Sequence, residues 1–208
     1  MSIANDPPCK ALLIDLDGVL RRWPASDESI EIVHGLPAGA IRSLAFHPER
    51  LAAAVCGRVS DEAWRAGVAD GLRVAYGAGA DAAVAAWSVR TGDVDEGMLA
   101  LLERHVSGVR RVLITNATSR LDRDLAALGL LDRFDAIVNS SAIGVAKPDA
   151  AFFHIALEQA GVPASLAVCV DDTAANVHAA GALGMRAHRH TDALSTERFL
   201  RSCGVLRD

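Results

Sequence analysis

Two pairs of acidic residues in this sequence each follow a short apolar run. Asp15 and Asp17 come at the end of the run Ala11–Leu16, and Asp171–Asp172 follow Leu166–Val170. Continuous apolar runs of this length are typical of buried parallel strands. Open parallel sheets bind ligands outside the carboxyl ends of their strands, and magnesium favours carboxylates, waters and phosphate oxygens as ligands. Both pairs are therefore placed for a ligand or metal site, with an acidic turn or a helix cap as the alternative for each.

Three other polar residues lie beside further predicted strands and helices. Thr115 and Asn116 end the second predicted strand, where a hydroxyl and an amide can bind phosphate oxygens together with backbone N–H groups. Helix capping by Asn116 or Thr118 is the alternative. Lys147 precedes Pro148, and proline is common at helix starts for backbone reasons alone. A compact ammonium group there can also offset the charges of a nucleophilic carboxylate and a phosphoryl group brought close together.

Alternating strand and helix patterns must position these residues. The predicted strands are Ala11–Leu16, Val109–Thr115, Phe134–Asn139, Leu166–Val170 and Met185–His190. Helical patterns with a glycine just beyond their ends cover Ser119–Leu128, Asp149–Ala160 and Thr173–Leu183. This alternation predicts an α/β fold with a doubly wound parallel sheet of the Rossmann type. The polar residues described above all fall at one edge of that sheet, so we treat them as one site.

The chain from about Arg21 to Gly108 breaks this rhythm. It contains no convincing strand, and its apolar spacing predicts helices at Ala38–Phe46, Pro48–Val55, Asp61–Leu72, Ala80–Val89 and Glu96–Val106. We interpret residues 21–95 as a small α-helical cap inserted into a core made of residues 1–20 and 96–208. The cap would leave and rejoin the core near Arg21–Pro24 and Gly92–Asp95.

Four strings in the predicted core resemble the signature motifs of one superfamily. In order and spacing, DLDGVL, LITNAT, AKPDAAFF and VDDTAANVHAAGALGM are similar to the four motifs of the haloacid dehalogenase-like (HAD) hydrolases. The resemblance extends from Lys10 to about His190. The strings SSAIGVAKP and VDDTAANV look most like the branch that contains the phosphatase domain of bifunctional epoxide hydrolases and small bacterial sugar-phosphate phosphatases.

The resemblance implies a hydrolase that cleaves a small-molecule phosphate monoester through an aspartyl-phosphate intermediate. Asp15 would be the nucleophile, and Asp17 the acid/base that protonates the leaving oxygen and then activates water. Thr115 and Asn116 would hold the phosphoryl group, while Lys147 would neutralise charge. Such a nucleophile divides one difficult phosphoryl transfer into two steps, which fits the physics of the reaction independently.

The resemblance also implies that the cofactor is Mg²⁺. Asp172 would bind the ion together with the Asp15 carboxylate and the Asp17 carbonyl oxygen, and Asp171 would orient these ligands. The family often has serine at the first position of the second motif, and Thr115 keeps the hydroxyl group. The inserted cap would close over the site and select the substrate.

Three other functions stay open at this point. A 2-haloacid dehalogenase of the same superfamily would attack carbon and need no magnesium, but it normally lacks the second aspartate that Asp17 represents here. A sugar phosphomutase would keep all four motifs and return the phosphoryl group to a sugar. A non-catalytic binding module on the same fold would be expected to have lost a motif residue, and none is missing.

Composition narrows the class of partner. The net charge of −5 and the scattered arginines give no basic footprint, so we expect a small phosphorylated metabolite as substrate and no nucleic acid. The sequence contains no apolar run long enough to span a membrane and no signal-peptide pattern at its start, so the expected location is the cytoplasm. The four cysteines are far apart and form no C-x-x-C pair. We expect a monomer or a homodimer.

Several aromatic and basic residues of the predicted cap are candidates for a substrate pocket. They are Trp23, His47, Arg58, Trp64 and Trp87. For the last two tryptophans, which have helical spacing among alanines, core packing is the favoured interpretation. His188 and His190 share one face of a predicted strand, but without a third ligand we favour a loop with no metal.

Overall fold

Seven strands are present in the structure, a computed structural model that describes residues 8–23, 27–77, 79–104 and 108–206. They are β1 (Ala11–Ile14), β2 (Arg21–Arg22), β3 (Asp93–Val94), β4 (Arg110–Thr115), β5 (Ala136–Asn139), β6 (Ala167–Asp171) and β7 (Arg186–Arg189). Five of them form a parallel sheet in the order β5-β4-β1-β6-β7. The other two, β2 and β3, pair antiparallel in a separate short ribbon.

Eleven α-helices occur in the described part of the chain. They are α1 (Glu28–Val33), α2 (Ala40–Ala45), α3 (Pro48–Val55), α4 (Asp61–Tyr76), α5 (Ala80–Ser88), α6 (Glu96–Glu103), α7 (Leu121–Ala127), α8 (Ser140–Ile143), α9 (Ala150–Ala160), α10 (Ala174–Ala182) and α11 (Ala193–Ser202). Two short 3₁₀ turns, Leu131–Arg133 and Ala164–Leu166, precede β5 and β6. No helix in the described ranges combines the length and the apolar character needed to cross a membrane.

Strand β1 lies at the centre of the sheet and is buried on both faces. Its residues alternate between two apolar clusters: Leu12 and Ile14 join residues of α6, α7 and α11, whereas Ala11 and Leu13 join residues of α9 and α10. Helices therefore cover both faces, which confirms the predicted doubly wound α/β fold. Because all five strands run parallel, their carboxyl ends meet at one edge.

The five helices between β2 and β3, which we call the helical insertion, have an apolar cluster of their own. It centres on residues such as Ile41, Val68 and Leu72, together with Trp64 and Trp87. The two indole rings pack edge to face with centroids 5.3 Å apart, so both tryptophans help to fill this cluster. The division of the chain into core and cap domains at 21–95 stays a prediction.

Several elements differ from the sequence-based expectations. The ribbon of Arg21–Arg22 with Asp93–Val94 lies in a segment where no strand was expected, because two-residue strands are too short to show a periodic pattern. Helix α4 continues four residues past the predicted end at Leu72, to Tyr76. Helix α6 packs on the central sheet through Met98, Leu101 and Leu102. The predicted end of that helix at Val106 lies outside the described residues.

Candidate active site

Side chains from four separate segments of the chain line one cavity at the carboxyl edge of the sheet. The cavity has a volume of about 1120 Å³ and lies between this edge and the helical insertion. Its core side includes Asp15 after β1, Thr115 at the end of β4, Lys147 after α8 and Asp172 after β6. The structure thus brings the predicted site residues together, as parallel strands with a common carboxyl edge require.

Lys147 links two of the predicted aspartates. Its Nζ donates to Asp15 Oδ1 at 2.8 Å, to Asp171 Oδ2 at 2.7 Å and to the carbonyl oxygen of Ile114 at 3.1 Å. These three bonds use all three ammonium protons. Although burial favours the neutral amine, the carboxylates of Asp15 and Asp171 raise the pKa of Lys147. The group is therefore a cation at neutral pH.

The Asp15 carboxylate is buried with unequal oxygens. Oδ1 accepts from Lys147 Nζ and, at 2.8 Å, from the backbone N–H of Leu16, whereas Oδ2 accepts no hydrogen bond from the described residues. Burial raises the pKa of Asp15 to about 7; Lys147 opposes the rise and the charge of Asp171 adds to it. One ammonium is thus shared between two carboxylates, and the site has an excess of negative charge.

A third carboxylate completes a possible metal site. Oxygens of Asp15, Asp171 and Asp172 lie within 4.8 Å of one another, the one such cluster of three possible ligands in the described ranges. Asp171 is fully buried and already accepts bonds from the Thr173 backbone, Asn176 and Lys147. Its oxygens are therefore the least free to bind an ion. The carboxylate set and its excess negative charge fit a hard divalent cation such as Mg²⁺.

Gly18 allows Asp172 to approach the loop after β1. A Cβ built on Gly18 would lie 2.2 Å from Asp172 Oδ2, and the backbone there has φ +80°, a conformation that favours glycine. The same loop turns back through a bond from the Gly18 N–H to the Arg21 carbonyl oxygen at 2.9 Å. Glycine is thus required for both the turn and the close contact.

Asp17 has both carboxylate oxygens engaged by neighbouring side chains. Oδ1 accepts from Arg21 Nε at 2.7 Å and from Trp23 Nε1 at 2.8 Å, and Oδ2 accepts from Arg21 Nη2 at 2.8 Å. The carboxylate of Asp17 lies outside the three-carboxylate cluster. This is consistent with a metal role for its backbone carbonyl alone.

The side chain of Asn116 holds the loop that carries Lys147. Its Oδ1 accepts from the Lys147 backbone N–H and its Nδ2 donates to the Lys147 carbonyl oxygen, both at 2.9 Å. Thr118 Oγ1 donates to Asp61 Oδ1 at 2.7 Å. The helix-capping alternative for Asn116 and Thr118 is therefore wrong, since α7 begins after Arg120 without a side-chain cap. Thr115 is buried beside this loop, and a phosphate-binding role for Thr115 and Asn116 stays a prediction.

Sequence reasoning missed Arg21 and the contacts that it makes with two aspartates. Arg21 was assigned to a linker, yet only 4% of it is exposed, and it contacts both Asp17 and Asp124. Asn176, which donates to Asp171, was also overlooked. The available signal was spacing: Arg21 is four residues after Asp17, and this relation places the two side chains together only because the loop folds back at Gly18.

The insertion supplies the opposite side of the cavity. Phe46, Trp64 and Trp87 line it, together with Arg65, whose guanidinium lies 4.3 Å from the centroid of the Trp87 ring. Trp23 also lines the cavity, whereas His47 and Arg58 do not. The favoured packing role of Trp64 and Trp87 agrees with their burial, and both also face the cavity.

His188 and His190 take part in local contacts at the edge of the sheet. His188 stacks on Phe199 with centroids 4.8 Å apart, and His190 Nδ1 lies 2.8 Å from Thr196 Oγ1. Neither belongs to a cluster of three possible metal ligands in the described ranges. Burial lowers the pKa of both side chains, which keeps them neutral.

Known proteins are similar to parts of this sequence. The haloacid dehalogenase-like hydrolase family description matches residues 9–184. Over 65 residues the chain is 46% identical to haloacid dehalogenase-like hydrolase domain-containing protein 3 of Danio rerio, covering 31% of this chain and 27% of that protein. Over 80 residues it is 42% identical to the pyrimidine 5′-nucleotidase YjjG of Escherichia coli, covering 38% and 36%. The matched segment thus spans about a third or less of these curated relatives.

Solved structures have the same fold at low sequence identity. A HAD family enzyme from Bacteroides thetaiotaomicron superposes with a TM-score of 0.71 at 19% identity, covering 89% of this chain and 95% of that chain. The same enzyme in complex with magnesium and inorganic phosphate gives 0.66 at 21% identity, covering 88% and 94%. An L-2-haloacid dehalogenase from Xanthobacter autotrophicus gives 0.61 at 19% identity, covering 96% and 89%. The match over residues 9–184 and the shared fold show that this chain belongs to the haloacid dehalogenase-like hydrolase family.

Proposed function

We propose that the protein is a magnesium-dependent phosphohydrolase that cleaves a small phosphate monoester. The observation that carries this proposal is the contact pattern of Asp15, whose Oδ2 has no donor in the described residues while Oδ1 is fixed by Lys147 and Leu16. A carboxylate held at one oxygen and open at the other, at the floor of a large cavity, is arranged as a nucleophile.

In the proposed first step, Asp15 Oδ2 attacks phosphorus and the bond from phosphorus to the ester oxygen breaks. The leaving oxygen takes a proton from Asp17, and the phosphoryl group is then bonded to Asp15. In the second step, Asp17 removes a proton from water, and the resulting oxygen attacks phosphorus. Inorganic phosphate leaves, and the Asp15 carboxylate is restored.

Charge compensation at the cavity floor makes the attack feasible. Lys147 places a cation 2.8 Å from Asp15 Oδ1 and offsets the repulsion between this carboxylate and an incoming phosphate. Asp15, Asp172 and the Asp17 carbonyl would hold Mg²⁺, with Asp171 orienting this arrangement. Bound there, the ion supplies Lewis-acid stabilisation of the charge on the phosphoryl oxygens. Thr115 and Asn116 would hold those oxygens from the side of β4.

Two similar proteins support the phosphate chemistry. One structural neighbour was solved with magnesium and inorganic phosphate, and one relative is named as a pyrimidine 5′-nucleotidase. We propose a small phosphorylated metabolite as the substrate class. The cavity volume of about 1120 Å³ is ample for a molecule of that size.

The test is a screen for phosphate release from many phosphoesters with magnesium. We expect release by the wild-type protein, loss of release in EDTA and recovery when magnesium is added back. Asp15→Asn should abolish turnover with the fold intact, because a neutral amide cannot attack phosphorus. Asp70→Asn, at an exposed aspartate of α4, is the matched control and should leave turnover unchanged.

Each other outcome points to a different function. Full activity in EDTA, with halide released from 2-haloacids, would favour a dehalogenase. Transfer of the phosphoryl group to a second sugar hydroxyl, without net phosphate release, would favour a phosphomutase. Turnover by a folded Asp15→Asn variant would contradict the covalent mechanism.

A further inference from the structure

We propose that Arg21 is a positioning residue for Asp17, an inference that rests on the proposed role of Asp17 as the acid/base. The guanidinium group fixes the Asp17 carboxylate through Oδ1 and leaves Oδ2 as the oxygen that exchanges with substrate. The anchor of this arrangement is a chain of buried ion pairs that ends on the backbone leaving the helical insertion.

The two carboxylate oxygens of Asp17 accept different numbers of hydrogen bonds. Oδ1 is held twice, by Arg21 Nε and Trp23 Nε1, whereas Oδ2 is held once, by Arg21 Nη2. Releasing Oδ2 costs one hydrogen bond, and the carboxylate can then turn about the doubly held Oδ1. An acid/base must exchange one protein contact for the leaving oxygen or water, and Oδ2 is the atom for which this exchange is least costly.

Arg21 itself is held from its other side. Its Nη1 lies 3.3 Å from Asp124 Oδ2 and 3.5 Å from the Thr91 carbonyl oxygen. Only 5% of the Arg21 side chain is exposed, and the indole ring of Trp23 lies 4.7 Å from its guanidinium carbon. A buried guanidinium with partners on both edges cannot follow Asp17 when the carboxylate turns, so Arg21 acts as the fixed element.

The partner of Arg21 is fixed in turn. Asp124 Oδ1 accepts from Arg120 Nε at 2.8 Å, and Arg120 donates to the carbonyl oxygens of Ser88 and Arg90. Together with Thr91, these acceptors form the segment by which the chain leaves α5 and returns toward β3. The contacts that orient Asp17 are therefore connected to those that hold the end of the helical insertion against the core.

Stability alone does not account for the network of Asp17, Arg21, Asp124 and Arg120. Removing water and placing two arginines and two aspartates in contact is costly unless each charge is fully paired, and well-packed apolar residues often stabilise such a position as well as ion pairs do. These ion pairs do, however, restrict the side chain of Asp17, which lies next to Gly18 in a loop that reverses direction. Restriction of that kind matters for proton transfer, where the reacting groups must be aligned within hydrogen-bond distance.

The test uses Arg21→Gln and Arg21→Lys, with Arg22→Gln as the matched control. Arg22 is the next residue of β2, with a 66% exposed side chain that pairs with Asp95. Kcat and KM are measured for aryl phosphates whose leaving groups range from strongly to weakly acidic. For weakly acidic leaving groups we expect Arg21→Gln to lower kcat/KM by about 10–100-fold, with a smaller loss for Arg21→Lys. Strongly acidic leaving groups need no proton, so their kcat/KM, which reports the first step alone, should stay within about 3-fold of wild type.

A double-mutant cycle separates positioning from a general structural role. If Arg21 acts through Asp17, Arg21→Gln should cause no further loss of kcat in an Asp17→Asn background. Additive losses, losses of kcat/KM that are independent of the leaving group, or equal behaviour of Arg21→Gln and Arg22→Gln would overturn the proposal.

Because Arg21→Gln leaves Asp124 with fewer partners, a second variant guards against a folding defect. Trp23→Phe removes one bond to Oδ1 from a residue that is 46% exposed, so the fold should tolerate the change. Its kcat/KM should fall in the same leaving-group-dependent way but less than that of Arg21→Gln. A folded Trp23→Phe enzyme with unchanged kcat throughout would also count against the proposal.

A readout without turnover completes the test. In protein labelled with 5-fluorotryptophan, the ¹⁹F resonance of Trp23, assigned by its absence in Trp23→Phe, should shift in Arg21→Gln and Asp17→Asn but not in Arg22→Gln. An unshifted resonance in Arg21→Gln contradicts the positioning role whatever the enzyme does. Absence of magnesium-dependent phosphate release from wild type would instead refute the proposed function, so the two failures are distinguishable.

Discussion

At the scale of single residues, Lys147 carries the charge balance of the site. Lys147→Met keeps most of the side-chain volume and leaves the Asp15 and Asp171 carboxylates without their shared cation. Breaking a buried ion pair in this way typically costs about 3–5 kcal/mol, and we expect a loss of that size in the free energy of unfolding in EDTA at pH 8. The measurement is urea denaturation.

The loss of unfolding free energy in Lys147→Met should become smaller as the pH is lowered. Burial already raises the pKa of Asp15 to about 7, and removing Lys147 raises it further, so the variant can neutralise this carboxyl group by taking up a proton. The destabilisation should therefore shrink from pH 8 to pH 5. The control is Lys10→Met, at the one other lysine of the sequence, which is exposed. A Lys147→Met protein as stable as the control at pH 8 would contradict this account of the site.

The close contact between Gly18 and Asp172 can be tested by adding a methyl group at Gly18. Gly18→Ala places a Cβ 2.2 Å from Asp172 Oδ2, whereas Gly144→Ala meets nothing within 4 Å although its φ of +77° is similar to the +80° of Gly18. Both variants carry the backbone strain, which costs on the order of 1 kcal/mol. Only Gly18→Ala should displace Asp172 and weaken magnesium binding measured by calorimetry. Equal magnesium affinities in the two variants would rule out a metal role for the contact between Gly18 and Asp172.

The placement of Asp15, Thr115 and Asp171 could be predicted because each lies at the end of a strand. Asp15, Thr115 and Asp171 end apolar runs, so the topology alone brings them to one edge. The contact of Asp17 with Arg21 could not be predicted, because it depends on a non-helical loop that reverses between them. Asn116 shows a related limit: its type suggested a phosphate ligand or a cap, and the structure engages its side chain with the backbone of Lys147.

At the scale of secondary-structure elements, the contact between α3 and α8 joins the helical insertion to the core. Gly57 follows α3, and a Cβ built on it would lie 2.0 Å from the carbonyl oxygen of Ser141 in α8. Gly57→Ala must therefore move the insertion relative to the core. Since a displacement of about 1 Å can cost on the order of 10²-fold in rate, we expect kcat/KM for a full-size substrate to fall about 10-fold or more.

Gly35→Ala is the control for this prediction. Gly35 follows α1 as Gly57 follows α3, with φ +69° against +67°, but nothing lies within 4 Å of its added Cβ. The control should lose a similar amount of thermal stability from backbone strain and keep kcat/KM. If the two variants have the same kcat/KM, the packing of α3 against α8 does not set the geometry of the site.

The elements that sequence could predict are those whose apolar pattern is long enough. Strands β1, β4 and β6 each contain a continuous apolar run, and apolar spacing predicted α3 with its observed bounds, Pro48–Val55. The two-residue strands β2 and β3 carry no pattern at all. These two strands pair because the two ends of the insertion lie side by side in the folded protein. Such a contact between distant residues cannot be predicted from the pattern of neighbouring residues in the sequence.

At the scale of the whole molecule, the ribbon shows where the insertion can be removed. Arg22 and Asp93 are paired residues, so replacing the chain between them with Asn-Gly, a favoured two-residue hairpin turn, joins them directly. In the proposed function the motifs of the core would bind the phosphoryl group, and the insertion supplies most of the opposite wall of the cavity. We expect the shortened protein to lose about 10²-fold or more in kcat/KM for a full-size phosphoester, because water is no longer excluded from the site.

Activity on a small activated ester should be affected less, by about 10-fold, since it needs neither the cavity wall nor a strong acid. The control is circular dichroism and urea unfolding of the shortened protein, which must show a folded sheet. If the rank order among phosphoesters is the same with and without the insertion, the insertion is not the specificity element.

The ribbon of β2 and β3 also has a consequence for the order of folding. β1 must pair with β4 to start the central sheet, yet the whole helical insertion separates them in sequence. Closing a loop costs entropy that grows with its length, and pairings between distant residues slow folding. An insertion that forms its own apolar cluster and holds its two ends side by side shortens the loop that remains to be closed. Variants that loosen the cluster around Trp64 and Trp87 should therefore slow refolding of the sheet, even though both residues belong to the apolar cluster of the insertion.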